Sequence, residues 1–134
     1  MTDTAATNEA TLRAVFAAIT AGAYDELADY VTEDLRFELP YAPKGIPSIT
    51  EGRDTWDQNQ RMTFQMFDGF TNTLDEIYRG ADPDVMVAEY HSQATVRSNG
   101  NEYRNRYVGI FRFRDGKICL WKEFHNPAAT RVLM

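Results

Sequence analysis

The sequence predicts an α+β protein: a curved antiparallel sheet wrapped over three N-terminal helices, forming a cone with an internal pocket. Three observations carry that expectation. Apolar residues recur at helical spacing early in the chain and alternate at strand spacing through its second half. Aromatic rings are plentiful, with eight Phe and seven Tyr, which points to a core or cavity walled by rings rather than by aliphatic side chains alone. Helices grouped ahead of strands favour a layer of helices over one sheet face, and a bent sheet closed in this way leaves space that its own side chains need not fill.

In chain order, Thr7 or Asn8 can cap a first helix running to about Ala21, with Leu12, Val15, Phe16 and Ile19 on one face. Gly22 ends it in the left-handed conformation. A short second helix over about Tyr24 to Val31 buries Leu27 and either Tyr30 or Val31. Leu35, Phe37 and Leu39 then alternate with Arg36 and Glu38 as a half-buried strand stopped by Pro40. Pro43, Gly45 and Pro47 mark residues 41–48 as a loop, and a third helix follows from Gly52 to about Phe67, carrying Trp56, Met62, Phe64, Met66 and Phe67. A four-stranded meander completes the chain: Phe70 to Arg79, Val85 to Arg97, and a long hairpin within Tyr103 to Asn126, separated by turns at Gly80–Asp84 and Ser98–Gly100.

A length of 134 residues fits a single domain spanning the whole chain. Fourteen Lys and Arg against twenty Asp and Glu give a formal net charge of −6, which disfavours nucleic acid and anionic membrane surfaces as partners. No stretch reaches the ~20 apolar residues of a membrane helix, and the N-terminus has no basic segment leading into an apolar run. The lone cysteine, Cys119, reads as a small buried hydrophobe and is consistent with a reducing compartment, so cytoplasmic residence is expected. Two His far apart, without His-x-His or Cys-x-x-Cys spacing, argue against a metal site. With no glycine-rich phosphate loop and no Gly-x-Ser-x-Gly, neither a nucleotide cofactor nor a serine nucleophile is expected.

The hairpin decides which residues share a wall, because strand side chains alternate faces. A two-residue Asp115-Gly116 turn would place Tyr107, Phe111 and Phe113 with Ile118, Leu120 and Phe124, leaving Glu123 outside. A three-residue Arg114-Asp115-Gly116 loop would instead gather Tyr103, Asn105, Tyr107, Gly109, Phe111 and Phe113 with Cys119, Trp121, Glu123 and His125. In that register Tyr107 opposes Glu123 and Asn105 opposes His125, close enough for side-chain contact. Hydrophobicity favours the first register, whereas only the second makes a site.

Several local matches bear on this choice: Ala21-Gly22 after the first helix, Val31-Thr32-Glu33-Asp34 before the first strand, Glu51-Gly52-Arg53-Asp54 opening the third helix, and Asp115-Gly116-Lys117-Ile118. Together they make the chain resemble the SnoaL-like branch of the nuclear-transport-factor-2-like superfamily over most of its length. The resemblance implies a dimer-prone cone with a deep pocket. Lys122-Glu123-Phe124-His125-Asn126-Pro127 is similar to the ending of phenazine biosynthesis A/B proteins, which implies an acid/base role for Glu123. It is also similar to the Trp-Arg-Asp ending of limonene-epoxide hydrolases, with Trp121 and Glu123 in the indole and carboxylate places. Both likenesses put Glu123 inward and favour the three-residue loop. The Arg and Asp that those hydrolases need on the central strand fall on Tyr90 and Ser92, and their water-holding Tyr and Asn fall on Phe37 and Leu39, so epoxide hydrolysis is not expected. Ketosteroid isomerase chemistry fails similarly: its tyrosine falls on Val15 and its base on Leu39.

The expected protein therefore holds a small apolar or aromatic molecule, without a cofactor or metal. Glu123, His125 and Tyr107 are the candidate catalytic residues, and burial among rings should push the Glu123 carboxyl toward the range useful for proton transfer. Asn105, Trp121, Tyr90, Ser92, Phe37, Leu39 and Trp56 are the expected lining, with His91 on the exterior. An isomerase, cyclase or lyase is the first functional expectation; a noncatalytic ligand binder and a dimeric scaffold are the alternatives. On the outer sheet face Arg104, Arg106, Arg112 and Arg114 accompany Val108, Ile110, Leu120 and Phe124, and this strip is expected to pair with its twin in a homodimer.

Overall fold

The computed structural model describes residues 3–134. It is α+β, with a six-stranded curved sheet in the order β2-β1-β6-β5-β4-β3. The strands are β1 (Val31–Glu38), β2 (Ile49–Glu51), β3 (Phe67–Arg79), β4 (Val85–Val96), β5 (Glu102–Arg114) and β6 (Lys117–His125). The sheet is mixed rather than wholly antiparallel, because β1 runs parallel to β6 along the register Phe37↔Trp121. The long connection between these two strands runs through β2, a helix and the β3–β5 meander. That pairing brings Phe37 beside the hairpin's aromatic end.

Two α-helices, α1 (Thr4–Ala21) and α2 (Arg53–Gln65), pack on one face. The second expected helix is a 3-10 turn over Tyr24–Tyr30, and another 3-10 segment, Pro127–Leu133, follows β6. Helix α1 starts earlier than the sequence implied: the Asp3 carboxylate accepts from the Ala6 amide at 3.0 Å and so caps the helix. Asn8, an expected cap, is instead fully buried within the helix and donates to the Pro83 carbonyl and the Asp84 carboxylate, tying α1 to the β3–β4 turn. Gly22 ends α1 at φ 72, and its N–H reaches back to Ala18 and Ile19. Leu12, Val15, Phe16 and Ile19 form the buried face of α1 against Met86, Tyr90, Phe111 and Trp121 of the sheet. Each fully buried side chain of this size contributes about 1.5–3 kcal/mol of burial free energy.

The hairpin follows neither register derived from the sequence. Asp115 and Gly116 both have positive φ, 54 and 79, as a two-residue turn twisted to match its strands requires. Arg114 pairs with Lys117 and Phe113 with Ile118, but Arg112 pairs with Leu120, leaving Cys119 as the extra residue of a β-bulge. The turn is thus the two-residue one, and the bulge then shifts β6 by one. Trp121, Glu123 and His125 consequently face inward, while Leu120, Lys122 and Phe124 face out. Cys119 is half-buried at the bulge rather than part of the inner wall. The expected cross-strand pairs are corrected accordingly: Tyr107 opposes His125, and Glu123 opposes Gly109.

Among the described residues no helix is long and apolar enough to cross a membrane.

Candidate functional site

The cone encloses a cavity of about 260 Å3, walled chiefly by apolar side chains from α1, α2 and the sheet. Phe37 and Leu39 from β1 and its exit, Phe64 from α2, Phe67 and Phe70 from β3, and Trp121 from β6 supply most of its surface. Its polar groups are few: Tyr103, Tyr107, Glu123, His125 and Asn72 from the sheet, with Gln60, Thr63 and Thr130 around the helical side. No Lys or Arg lines it. A small set of polar groups in an apolar hollow is the usual composition of a small-molecule site.

Glu123 is the carboxylate in this wall. The Tyr90 hydroxyl donates to its Oε1 at 2.7 Å, and the Trp121 indole N–H donates in turn to the Tyr90 oxygen at 3.1 Å. Tyr90 is the carboxylate's one side-chain partner among the described residues. Removal from water disfavours the charged form and raises the carboxyl to about 7, with the Tyr90 hydrogen bond pulling the other way. Part of the Glu123 surface remains open to the cavity, which is where a ligand would meet it. Burial and the neighbouring Glu123 charge hold the Tyr90 hydroxyl well above the usual tyrosine range, so Tyr90 stays a donor.

Gly109, directly opposite Glu123, makes this contact possible. A Cβ there would sit 2.6 Å from the Phe111 ring and 2.8 Å from the Tyr90 hydroxyl oxygen. The absent side chain is the gap through which Tyr90 reaches the carboxylate. Gly109→Ala should cost about 1–3 kcal/mol by overpacking and break the Tyr90–Glu123 bond, raising the Glu123 carboxyl above its wild-type midpoint. Urea denaturation together with 13C NMR titration of the glutamate carboxyl would check both effects; an unchanged midpoint would count against them.

A second polar chain runs beside the first. Tyr107 stacks on Tyr90 with centroids 5.0 Å apart, and its hydroxyl lies 2.7 Å from Ser92 Oγ and 3.1 Å from the Tyr103 hydroxyl. Asn105 donates to the Tyr103 oxygen at 2.8 Å, and its own oxygen accepts from the Arg106 and Asn126 amides. Burial raises the Tyr103 and Tyr107 hydroxyls, which therefore remain protonated donors. His125 lines the cavity with its buried Nδ1 unpartnered, and burial lowers its pKa, so its ring is neutral near pH 7.

The structure thus gathers Glu123, Tyr107, His125, Trp121, Phe37 and Leu39 at the cavity. It places Tyr90, Ser92 and Asn105 behind that surface as supports, Tyr90 under Glu123, Ser92 under Tyr107 and Asn105 under Tyr103. Trp56 is not lining: it is 1% exposed and sits behind Trp121 with ring centroids 6.1 Å apart. Asn72 and the two α2 residues Gln60 and Thr63 escaped the sequence reading. Asn72 faces in because a bulge between Asp68 and Thr71, with Gly69 at φ 65 inside it, resets the β3 register; alternation alone does not reveal the shift, and the glycine is its one sequence signal. Glu38, next to Leu39, points outward toward Arg36 and Lys122. His91 is on the outer face, 2.8 Å from Asp75, as expected. No three His, Cys, Asp or Glu side chains among the described residues converge as a metal site.

A larger, shallow concavity of about 930 Å3 lies over the outer sheet face, lined by Asp75, Glu89, His91, Arg104, Arg106 and Val108. Its size reflects an open surface. Its lining is mostly polar and charged and does not include Glu123, so the inner cavity is the better chemical candidate despite its smaller volume.

Residues 12–121 match the SnoaL-like domain family. An uncharacterised PhzA/B-like protein of Pseudomonas aeruginosa is 34% identical over 91 residues, which cover 67% of this chain and 63% of that protein. Among solved structures, a Bacillus subtilis protein provisionally assigned as an isomerase superposes with a TM-score of 0.89 at 25% identity, covering 97% of this chain and 94% of the other. A phenazine biosynthesis-related protein of Pseudomonas aeruginosa shares the fold at a TM-score of 0.82 and 19% identity, covering 97% and 86%.

Proposed function

The chain belongs to the SnoaL-like domain family, and on that footing we propose that it is a cofactor-free isomerase, cyclase or lyase of a small apolar or aromatic metabolite, with Glu123 as general acid/base. The observation that carries this reading is the Glu123 carboxyl at about 7, desolvated at the wall of an aromatic cavity. A base titrating near the working pH is ionised often enough to take a proton and, once protonated, acidic enough to return it. Glu123 would remove a proton from a carbon next to a carbonyl, leaving an enolate, and the resulting carboxylic acid would deliver that proton to a second carbon. The Tyr107 hydroxyl, held protonated and oriented by Ser92 and Tyr103, would donate to the developing oxyanion. His125, neutral and adjacent in register, is a second donor for the same oxygen.

The test is carbon–hydrogen exchange. Aryl ketones and cyclic enones small enough for the cavity, incubated with the protein in D2O, should gain deuterium at the carbon next to the carbonyl, followed by 1H NMR. Exchange that persists in Glu123→Gln would refute the assignment.

The same reading includes a homodimer through the outer sheet face. Val108 is 39% exposed there, with Ile110, Leu120 and Phe124 half-buried around it. Such a strip amid arginines is a favourable surface for a second copy. Sedimentation velocity should show concentration-dependent dimer that Val108→Glu reduces to monomer; a wild-type protein monomeric throughout would rule this out.

A further inference from the structure

Tyr90 is 1% exposed, so its single hydroxyl hydrogen has to find an acceptor inside the protein. Two polar partners lie in reach of that hydroxyl among the described residues: Trp121 Nε1 at 3.1 Å and Glu123 Oε1 at 2.7 Å. An indole N–H donates and never accepts. The Tyr90 oxygen therefore accepts from Trp121, and its own hydrogen has one destination, Oε1 of Glu123. The ring is held in that aim by Phe16, packed edge-on at a centroid distance of 4.6 Å, and by Tyr107, stacked at 5.0 Å.

The two oxygens of Glu123 are consequently unlike. In the carboxylate, Oε1 is already occupied by the Tyr90 hydrogen. In the acid, Oε1 has to be the carbonyl oxygen, because a proton placed there would leave the Tyr90 hydrogen buried without an acceptor. Oε2 has no hydrogen-bond partner among the described residues, and unlike the sealed Nδ1 of His125 it keeps accessible surface where Glu123 lines the cavity. We infer that Tyr90 is a positioning residue that reserves Oε1 of Glu123, so that Oε2 alone takes and returns the proton; this rests on the acid/base reading of Glu123. In the first half of the reaction the C–H bond breaks, the proton joins Oε2 and the electron pair remains in the enolate. In the second half the O–H bond at Oε2 breaks and the enolate's electron pair forms the new C–H bond. No rotation of the carboxyl intervenes, because the carrier oxygen is the same in both halves.

Infrared difference spectra between pH 5 and pH 9, with Glu123→Gln as the blank, read the C=O stretch of the protonated Glu123 carboxyl. In Tyr90→Phe that band should move to higher wavenumber, because the carbonyl oxygen has lost its donor. The 13C midpoint of Glu123 should rise by about one to two pH units. Deuterium uptake by 2-tetralone in D2O should keep its KM in this variant, while its pH inflection rises with the midpoint and its rate above the new midpoint falls by about ten- to a hundredfold. Should Tyr90→Phe not fold, the wild-type sequence grown with 3-fluorotyrosine, a stronger donor, should move the band and the midpoint the opposite way. A band or midpoint that stays in place, or a full rate in Tyr90→Phe above its midpoint, would overturn the inference. Exchange that needs Glu123 but ignores Tyr90 would defeat it while leaving the acid/base reading standing. Exchange that persists in Glu123→Gln would defeat both, even if the band moves.

Discussion

Glu123→Gln should lower kcat/KM for carbon–proton transfer by about 10²–10⁴-fold, the usual range for loss of a positioned acid/base. Glutamine keeps the shape and can still accept from Tyr90, so binding of a neutral ligand should change little. It cannot take a proton from carbon at any useful pH. Wild-type kcat/KM should rise with pH through about 7 as the carboxyl ionises to the base form. In the variant that inflection should be missing from whatever rate remains. The missing inflection separates a chemical role from a structural one, since a merely misfolded variant would retain the profile at reduced amplitude. A wild-type profile flat between pH 5 and 9 would remove Glu123 from the chemistry.

The same substitution should stabilise the fold under alkaline conditions. The folded-state carboxyl is raised to about 7 from an ordinary value of 4.5. Between those limits the native state holds a proton that the unfolded chain has lost, so the contribution is fully present below about 4.5 and is lost as pH rises through about 7. At ~1.4 kcal/mol per pH unit, the forfeited stability reaches roughly 3 kcal/mol above pH 7. Glutamine has no proton to lose. The stability difference between Glu123→Gln and wild type should therefore be small at pH 4.5 and grow by roughly that amount toward pH 8. Taking the difference cancels the surface carboxylates that also titrate, such as Glu9 and Asp34, whose arginine partners lower them. Urea denaturation of both proteins at four or five pH values would show it; parallel curves would mean that the carboxyl is not desolvated.

Much of the fold could be read from the sequence because its elements obey one periodicity each. The helical face of Leu12, Val15, Phe16 and Ile19 is buried as its spacing implies, and β4, β5 and the Leu35–Glu38 half of β1 alternate cleanly. The features that escaped break a period. The bulges at Asp75 in β3 and at Cys119 in β6 shift a face by one residue without a proline or glycine to announce the shift, whereas the earlier bulge of β3 contains Gly69 at φ 65. This is why Glu123 was rightly expected to face inward through a wrong loop and opposite a wrong partner. Trp56 was misplaced for another reason: a large ring on a helix facing a cavity can line it or stand behind a second ring, and only the position of Trp121 decides between them. The parallel β1–β6 pair lay beyond sequence reach because it joins segments some eighty positions apart.

The bulge at Cys119 implies that the last strand has a reading frame. Ile118 lies ahead of the inserted residue and Trp121, Glu123 and His125 behind it, and all four face inward because the bulge takes Cys119 out of the alternation. A ladder that paired Cys119 in turn would bring Lys122 and Phe124 inward and expel the carboxylate without altering a single residue that touches the cavity. Deleting Cys119 would instead straighten the strand and keep Glu123 opposite Gly109, still facing in.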